Sequence, residues 1–376
     1  MTTLSSGERT RYQRHLTLPE IGAAGQEKLK AARVVIVGAG GLGSPAALYL
    51  AAAGCGTLGL VDRDRVELSN LQRQVLFDTA AVGRPKAEAG AERLAGLNPE
   101  IRVVAHPVEL KAANVRAVLG HYDLVIDGSD RLATRYLVND ACVLLGRPLV
   151  SAAIHRFEGQ IMSYVPGRGP CYRCVFPQAP DGLIANCAEA GVLGVLPGVL
   201  GTLQATEAIK LITGAGTPLL GRLLTYDALE VRFEEFRLAR RRDCPACGDA
   251  PTITEPRDPA PPASAPGADG IRHLRAPELH ALLAAAPPPR LIDVREPWEF
   301  ATGHLPGSLH IPLGELPERL DEIPHGAGPA VFICRSGGRS LAACRMALQA
   351  GMPAPANLEG GLRAWAAEVD PRLPVA

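Results

Sequence analysis

A chain of 376 residues exceeds what one hydrophobic core usually supports, so two domains of roughly 100 to 200 residues or more are expected. Apolar residues at 47% with frequent glycine and proline suit an α/β protein, and a formal net charge of zero gives no overall pull toward nucleic acid or an anionic membrane. The segment Met1 to Arg14 is polar and charged, without the apolar run of a secretory signal, so the nine cysteines are assigned to a reducing, cytoplasmic compartment where thiols serve metals and catalysis.

The first strong element is Arg33 to Val37, a β-branched run ending at glycines, followed by an Ala/Leu-rich helix former from Ser44 to Ala53 and a second strand from Leu58 to Val61. Ile101 to Val104 and Leu124 to Ile126 continue the alternation, the latter bringing Asp127 and Asp130 to a strand end. This order predicts a Rossmann-like, mainly parallel sheet with helices on both faces. Gln160 to Val165 and Arg222 to Arg232 read as more polar strands in a different layer against that sheet. Gly191 to Leu203 is the most apolar stretch, but it is too short to span a bilayer and is expected to be buried. Residues 249–270 have linker composition, dividing a domain at 1–248 from one at 271–376. The second domain shows a smaller α/β pattern: helix Ala276 to Ala286, strands Leu291 to Val294 and Ala330 to Ile333, and a helix from about Arg339 to Ala350.

Gly38-Ala-Gly40-Gly41-Leu-Gly43 follows a strand and opens a helix, so its backbone N–H groups can hold phosphate oxygens. Asp62, about nineteen residues on, is placed to bind ribose hydroxyls. Such loops commonly serve dinucleotides. The segment Leu68-Ser-Asn70-Leu-Gln-Arg73-Gln together with Lys86 favours a triphosphate instead, because a departing phosphate needs fixed cations: Arg73 and Lys86 supply charge, and Asp130 is a candidate Mg²⁺ ligand.

Two Cys-x-x-Cys pairs, Cys171/Cys174 and Cys244/Cys247, bracket a lone Cys187. The two-residue gap lets both thiolates of a pair face one ion, and four sulfurs make a closed, structural Zn²⁺ site that would staple Arg237 to Gly248 onto the middle of the domain. Further along, Cys334 ends an apolar strand and begins the run Arg335-Ser336-Gly337-Gly338-Arg339-Ser340, a turn whose N–H groups form an anion nest. With its two guanidinium groups this loop should favour a thiolate or persulfide. Four residues separate Cys334 from Arg339, a spacing that suits a sulfur atom better than a phosphate. Cys55, Cys142 and Cys344 read as core fillers, and Asp293 and His304 as structural.

The segments Arg11-Tyr-Gln-Arg14, Gly38 to Gly43, Asn70 to Arg73, Gly128-Ser-Asp130 and Cys187-Ala-Glu-Ala-Gly191 resemble the E1-like (ThiF/MoeB) adenylyltransferases, which activate ubiquitin-like sulfur carriers in molybdopterin and thiamine biosynthesis. The resemblance covers residues 8 to 248. Leu291-Ile-Asp293-Val-Arg-Glu296, Gly303 to Pro312 and the Cys334 loop resemble the rhodanese domain from about Gly270 to Ala367. The first resemblance implies ATP and Mg²⁺ binding, adenylation of a carrier's C-terminal Gly-Gly carboxylate, and a homodimer in which Arg14 reaches the neighbour's phosphates. Asp62, Asn70, Arg73 and Lys86 would hold the nucleotide and Asp130 the magnesium, while Cys187 would join a covalent sulfur intermediate. The second implies sulfur carried on Cys334, taken from a cysteine desulfurase or thiosulfate. A linker of about twenty residues at ~3.1 Å each spans roughly 60 Å at most, which lets Cys334 visit the adenylation site. Three rival readings remain open: a dehydrogenase fused to a sulfurtransferase, a non-catalytic sensor of ATP or sulfur, and adenylation of a modified tRNA base.

Overall fold

A computed structural model describes residues 3–177, 191–258 and 270–375, except 285, 325 and 327. Cys187 and residues 259–269 of the proline-rich linker lie outside the described residues. The described chain forms two compact units, residues 3–177 with 191–258 and residues 270–375.

In the first unit the strands are β1 (Arg33–Val37), β2 (Thr57–Val61), β3 (Arg102–His106), β4 (Leu124–Asp127), β5 (Leu149–His155), β6 (Glu158–Tyr164), β7 (Arg222–Asp227) and β8 (Arg232–Arg237). They form one sheet in the order β3-β2-β1-β4-β5-β6-β7-β8. The first five are parallel, as the alternation of strands and helices demands. β1 is buried on both faces: Val34 and Ile36 pack into one core with Leu58, Leu60 and Leu200, while Val35 and Val37 face Val115, Val125 and Leu137 in the other. That two-sided burial explains why the strand reads as an unbroken apolar run rather than an alternating one.

The expectation of a separate layer for the later strands is corrected. β6 pairs antiparallel with β5, Leu149 opposite Tyr164, and β7 with β6, so they extend the same sheet. The chain reverses at Arg156 and Phe157, with Arg156 at φ 52°, and folds back onto its neighbour instead of crossing over. Nor is Arg222 to Arg232 one strand: Asp227 Oδ1 accepts the N–H groups of Leu229 and Glu230, ending β7 and returning the chain as β8. The helix Leu196–Thr213, starting within the expected apolar stretch, covers one face. Gly159 on β6 lies so close to Leu200 that an added Cβ would come within 2.6 Å of Leu200 Cδ2.

The second unit holds β9 (Arg272–Leu274), β10 (Arg290–Asp293), β11 (Leu309–His310), β12 (Ala330–Ile333) and β13 (Ala356–Leu358), all parallel, in the order β11-β10-β12-β13-β9. Ile292 and Phe332 face one core, and Leu291, Val331 and Ile333 the other.

In the first sheet the strand order reverses between β1 and β4, and the loops after these two strands come into backbone contact there. Gly38 has φ 88°, and a Cβ on it would lie 3.0 Å from the Gly128 carbonyl oxygen. Gly43, first residue of the helix Gly43–Ala52, is tighter: its Cβ would fall 1.8 Å from the Gly38 oxygen. Because the obstacle is backbone, a side chain there forces the loop open. Gly43→Ala is therefore expected to lower the melting temperature by several degrees and to abolish the further rise produced by Mg-ATP, both read by differential scanning fluorimetry.

Candidate functional site

The glycine loop is built against three neighbours. Asp62, at the end of β2, accepts the Ala39 N–H at 2.9 Å and the Asp64 N–H at 2.8 Å, which fixes its carboxylate beside the loop. Burial pushes this carboxyl up, while the charge of Lys86 and the two N–H groups pull it down. Lys86 is itself buried at the start of the helix Lys86–Leu97, its Nζ 3.8 Å from Asp64 Oδ2. The second neighbour is the segment 70–74: a Cβ on Gly40 would lie 3.6 Å from Gln74 Nε2, and one on Gly41 would lie 3.7 Å from Arg73 Cγ. Arg73 donates to the Ser69 carbonyl at 3.2 Å, and Asn70 is buried, its Oδ1 accepting the Glu67 N–H. Pro197, in the first turn of Leu196–Thr213, forms the third wall, 3.1 Å from the Gly41 position. The helix Gly43–Ala52 has no acidic residue in its first turn, so its dipole and N–H groups remain favourable to an anion.

Asp130 is exposed at the end of the loop after β4, whose Gly128 and Ser129 touch Gly38. A brace that the sequence did not reveal holds this loop. Asp127, buried at the strand end, accepts Ser129 N at 3.0 Å, Ser129 Oγ at 2.6 Å and Ser151 Oγ at 3.3 Å. Arg135 donates to the carbonyls of Ala152 and Ser129, and Gln204 Nε2 to the Asp127 carbonyl at 2.7 Å. Arg135 follows Arg131 by one helical turn on Leu132–Leu145, the only local signal that could have marked it. Arg14 is exposed on the helix Gln13–Leu16, and among the described residues no ion pair or side-chain hydrogen bond joins it to the glycine loop.

The two Cys-x-x-Cys pairs converge. Sγ separations are 4.0 Å for Cys171 and Cys174, 3.6 Å for Cys171 and Cys244 and 3.4 Å for Cys174 and Cys247, and all four sulfurs lie within 4.8 Å of one another. A tetrahedral ion with ~2.3 Å metal–sulfur bonds needs sulfurs about 3.8 Å apart, so the cluster fits a single metal ion. These distances are far beyond a disulfide bond. The Arg241 N–H donates to Cys174 Sγ at 3.4 Å, a second contact of the kind that orients a ligating sulfur. Burial pushes the Cys174 thiol up to about 11 and Cys171 higher still, so without a cation both stay protonated at neutral pH.

In the second unit Cys334 ends β12 fully buried. Its Sγ accepts the Gly337 N–H at 3.1 Å and lies 3.3 Å from Ser340 Oγ, whose own hydroxyl reaches Asn357 Oδ1 at 2.6 Å. The loop's orientation is imposed from behind: the N–H groups of Leu362 and Arg363 bind the carbonyls of Cys334 and Arg335 at 2.9 and 3.0 Å. With those carbonyls turned outward, the Gly337 N–H turns in toward the sulfur. Of the two expected guanidinium groups, Arg339 forms a bidentate pair with Glu299 at 2.6 and 2.7 Å, both side chains buried, so its charge is already matched. Gly338, at the start of the helix Gly338–Gln349, is exposed, and Arg335 and Ser336 are half-buried. Burial pushes the Glu299 carboxyl up, but Arg339, the Glu296 N–H and Arg295 together hold it below the usual range. Nothing in the spacing of Glu299 and Arg339, forty residues apart, announced this pair. Asp293 is buried and binds the fully buried Arg295 at 2.7 Å, and His304 stacks on Phe300 with ring centroids 3.8 Å apart.

These two sites place the chain in a class that joins an adenylate-forming nucleotide fold to a sulfur-carrying loop. The ThiF family model matches residues 12–246 and the rhodanese-like domain model residues 275–368; the chain belongs to the ThiF family and carries a rhodanese-like domain. It is 46% identical over 403 residues to the adenylyltransferase and sulfurtransferase MOCS3 of Sus scrofa, an alignment covering 99% of this chain and 88% of that one. It is 54% identical over 254 residues to the sulfur carrier protein adenylyltransferase of Thermus thermophilus, covering 66% of this chain and 94% of the relative. Among solved structures, E. coli MccB with MccA-N7isoASN superposes with a TM-score of 0.58 at 27% identity, over 65% of this chain and 76% of that one. No described helix is long and apolar enough to cross a membrane.

The thiol cluster should yield one bound metal ion per chain by elemental mass spectrometry, and Cys244→Ser should lose it together with several degrees of melting temperature. Glu299→Gln removes the carboxylate charge that faces the buried Arg339 guanidinium and should cost about 3–5 kcal/mol at neutral pH. Because Glu299 titrates below its ordinary value, the pair's contribution is present above roughly pH 4.3 and fades as pH falls through the depressed value, so the gap between wild type and variant narrows in acid. Both tryptophans, Trp298 and Trp365, lie in the second unit, so fluorescence-detected urea unfolding measures this directly.

Proposed function

We propose that this chain adenylates the C-terminal glycine of a ubiquitin-like sulfur carrier and then replaces the activated oxygen with sulfur delivered by Cys334. The observation that carries the reading is the joint presence, in one chain, of a glycine cradle walled by Asp62, Arg73 and Pro197, with the Lys86 charge acting on Asp62, and a buried cysteine whose sulfur meets an inward-turned loop N–H. A carboxylate is a poor electrophile, and linking it to AMP supplies a good leaving group. One carboxylate oxygen attacks the α-phosphorus, the bond to the bridging oxygen breaks, and pyrophosphate departs. The loop N–H groups, Arg73 and Lys86 orient the phosphates, Asp62 holds the ribose, Asn70 lines the pocket, and Arg14 is assigned to the phosphates of a partner protomer in a homodimer. Asp130 would hold Mg²⁺, which when bound offsets the phosphate charge. The four thiols would hold Zn²⁺, whose role is a cross-link with no open coordination position.

For sulfur transfer, the Cys334 thiolate takes the outer sulfur of thiosulfate and releases sulfite, or receives the sulfur from a cysteine desulfurase. The terminal persulfide sulfur attacks the acyl-adenylate carbonyl and AMP leaves, giving an acyl disulfide. Cys187 then attacks Cys334 Sγ, forming a Cys187–Cys334 disulfide and releasing the thiocarboxylate; an external thiol reductant restores the two cysteines. Incubation with Mg-ATP, a Gly-Gly-ending carrier, thiosulfate and a thiol should yield AMP, pyrophosphate and a carrier heavier by the difference between sulfur and oxygen, read by intact-mass spectrometry. Cys334→Ala should abolish the mass gain while carrier-dependent pyrophosphate exchange continues. Loss of both activities would count against separable roles for the two domains.

A further inference from the structure

We infer that Gln74 is a further nucleotide-contacting residue, its side-chain amide donating to a phosphate oxygen of bound ATP. Gln74 is 5% exposed, yet its Oε1 is buried without a hydrogen-bond partner among the described residues. Its Nε2 also makes no hydrogen bond among them and points at the phosphate loop, 3.6 Å from where a Gly40 side chain would begin. Leaving a buried amide oxygen unmet destabilises a fold, so such groups gather where a ligand or its water completes them. Leu76 and Phe77, two and three residues on, supply the apolar anchor of this segment, and the Gln74 amide instead lies against the glycine loop. A neutral amide suits that place beside Arg73: it adds a directed donor without a third positive charge, and phosphate oxygens are acceptors only. The two ends of the amide then differ in duty, Nε2 toward phosphate and Oε1 toward a donor brought in with the hydrated nucleotide.

This inference rests on the adenylation reading, and the measurement separates the two. Melting temperature and calorimetric Mg-ATP affinity are compared for wild type, Gln74→Met and Gln74→Glu in the full chain. Methionine keeps the volume and removes the unmet buried oxygen together with the Nε2 donor, so the ATP-free protein should melt at the same temperature or higher while Mg-ATP binds at least tenfold more weakly. Glutamate keeps the shape but exchanges the donor for a charge facing phosphate, and should weaken binding further. If Gln74→Met lowers the ATP-free melting temperature by several degrees, or if either variant binds Mg-ATP as wild type does, the inference is overturned while adenylation stands. Failure of wild type itself to bind Mg-ATP would overturn both.

Discussion

The first unit depends on a steric condition: two loops at the reversal of strand order must touch through bare backbone. A Cβ on Gly43 would fall 1.8 Å from the Gly38 oxygen and one on Gly38 3.0 Å from the Gly128 carbonyl oxygen, so the glycine loop and the loop carrying Asp130 are held in backbone contact. Everything chemical about the site follows from that closeness. The N–H groups of the glycine turn, the Asp62 carboxylate and the exposed Asp130 can address one nucleotide because no side chain separates them. The Asp127–Arg135–Gln204 brace keeps the second loop in register, tying it to β5 and to the long covering helix.

The sulfur loop meets the same need for a fixed anion pocket by another route. There the carbonyls are anchored from behind by two N–H groups of the last helix, Gly361–Glu368, and the nearby guanidinium is neutralised by a buried carboxylate. A persulfide is a softer and smaller anion than a triphosphate, and it is served by a directed N–H rather than by a cluster of cations. Both loops thus present backbone donors, differing in how much side-chain charge stands beside them.

What the sequence disclosed was local. The glycine turn, the strand leading to Asp62, the Cys-x-x-Cys pairs and the Cys334 loop each declare themselves within a few residues, because their residue types and spacing mark them locally. What it hid was long-range. The antiparallel extension by β6, β7 and β8 arises from pairings that periodicity does not encode, and two polar strands in sequence look the same whether they join a sheet or cover it. Glu299 and Arg339 lie on separate helices with nothing in their surroundings to link them, and Gln74 is one of several polar residues in a polar segment until its burial is known.

The anchoring of the Cys334 carbonyls carries a consequence for how the chain tolerates damage. The groups that aim the loop, the N–H donors of Leu362 and Arg363, belong to the final helix, well downstream of the cysteine they serve. A premature stop after Glu359 would leave every residue from Cys334 to Ser340 in the chain yet remove both carbonyl anchors together with the buried Leu362 and Trp365, so the loop would lose its orientation and the unit part of its core.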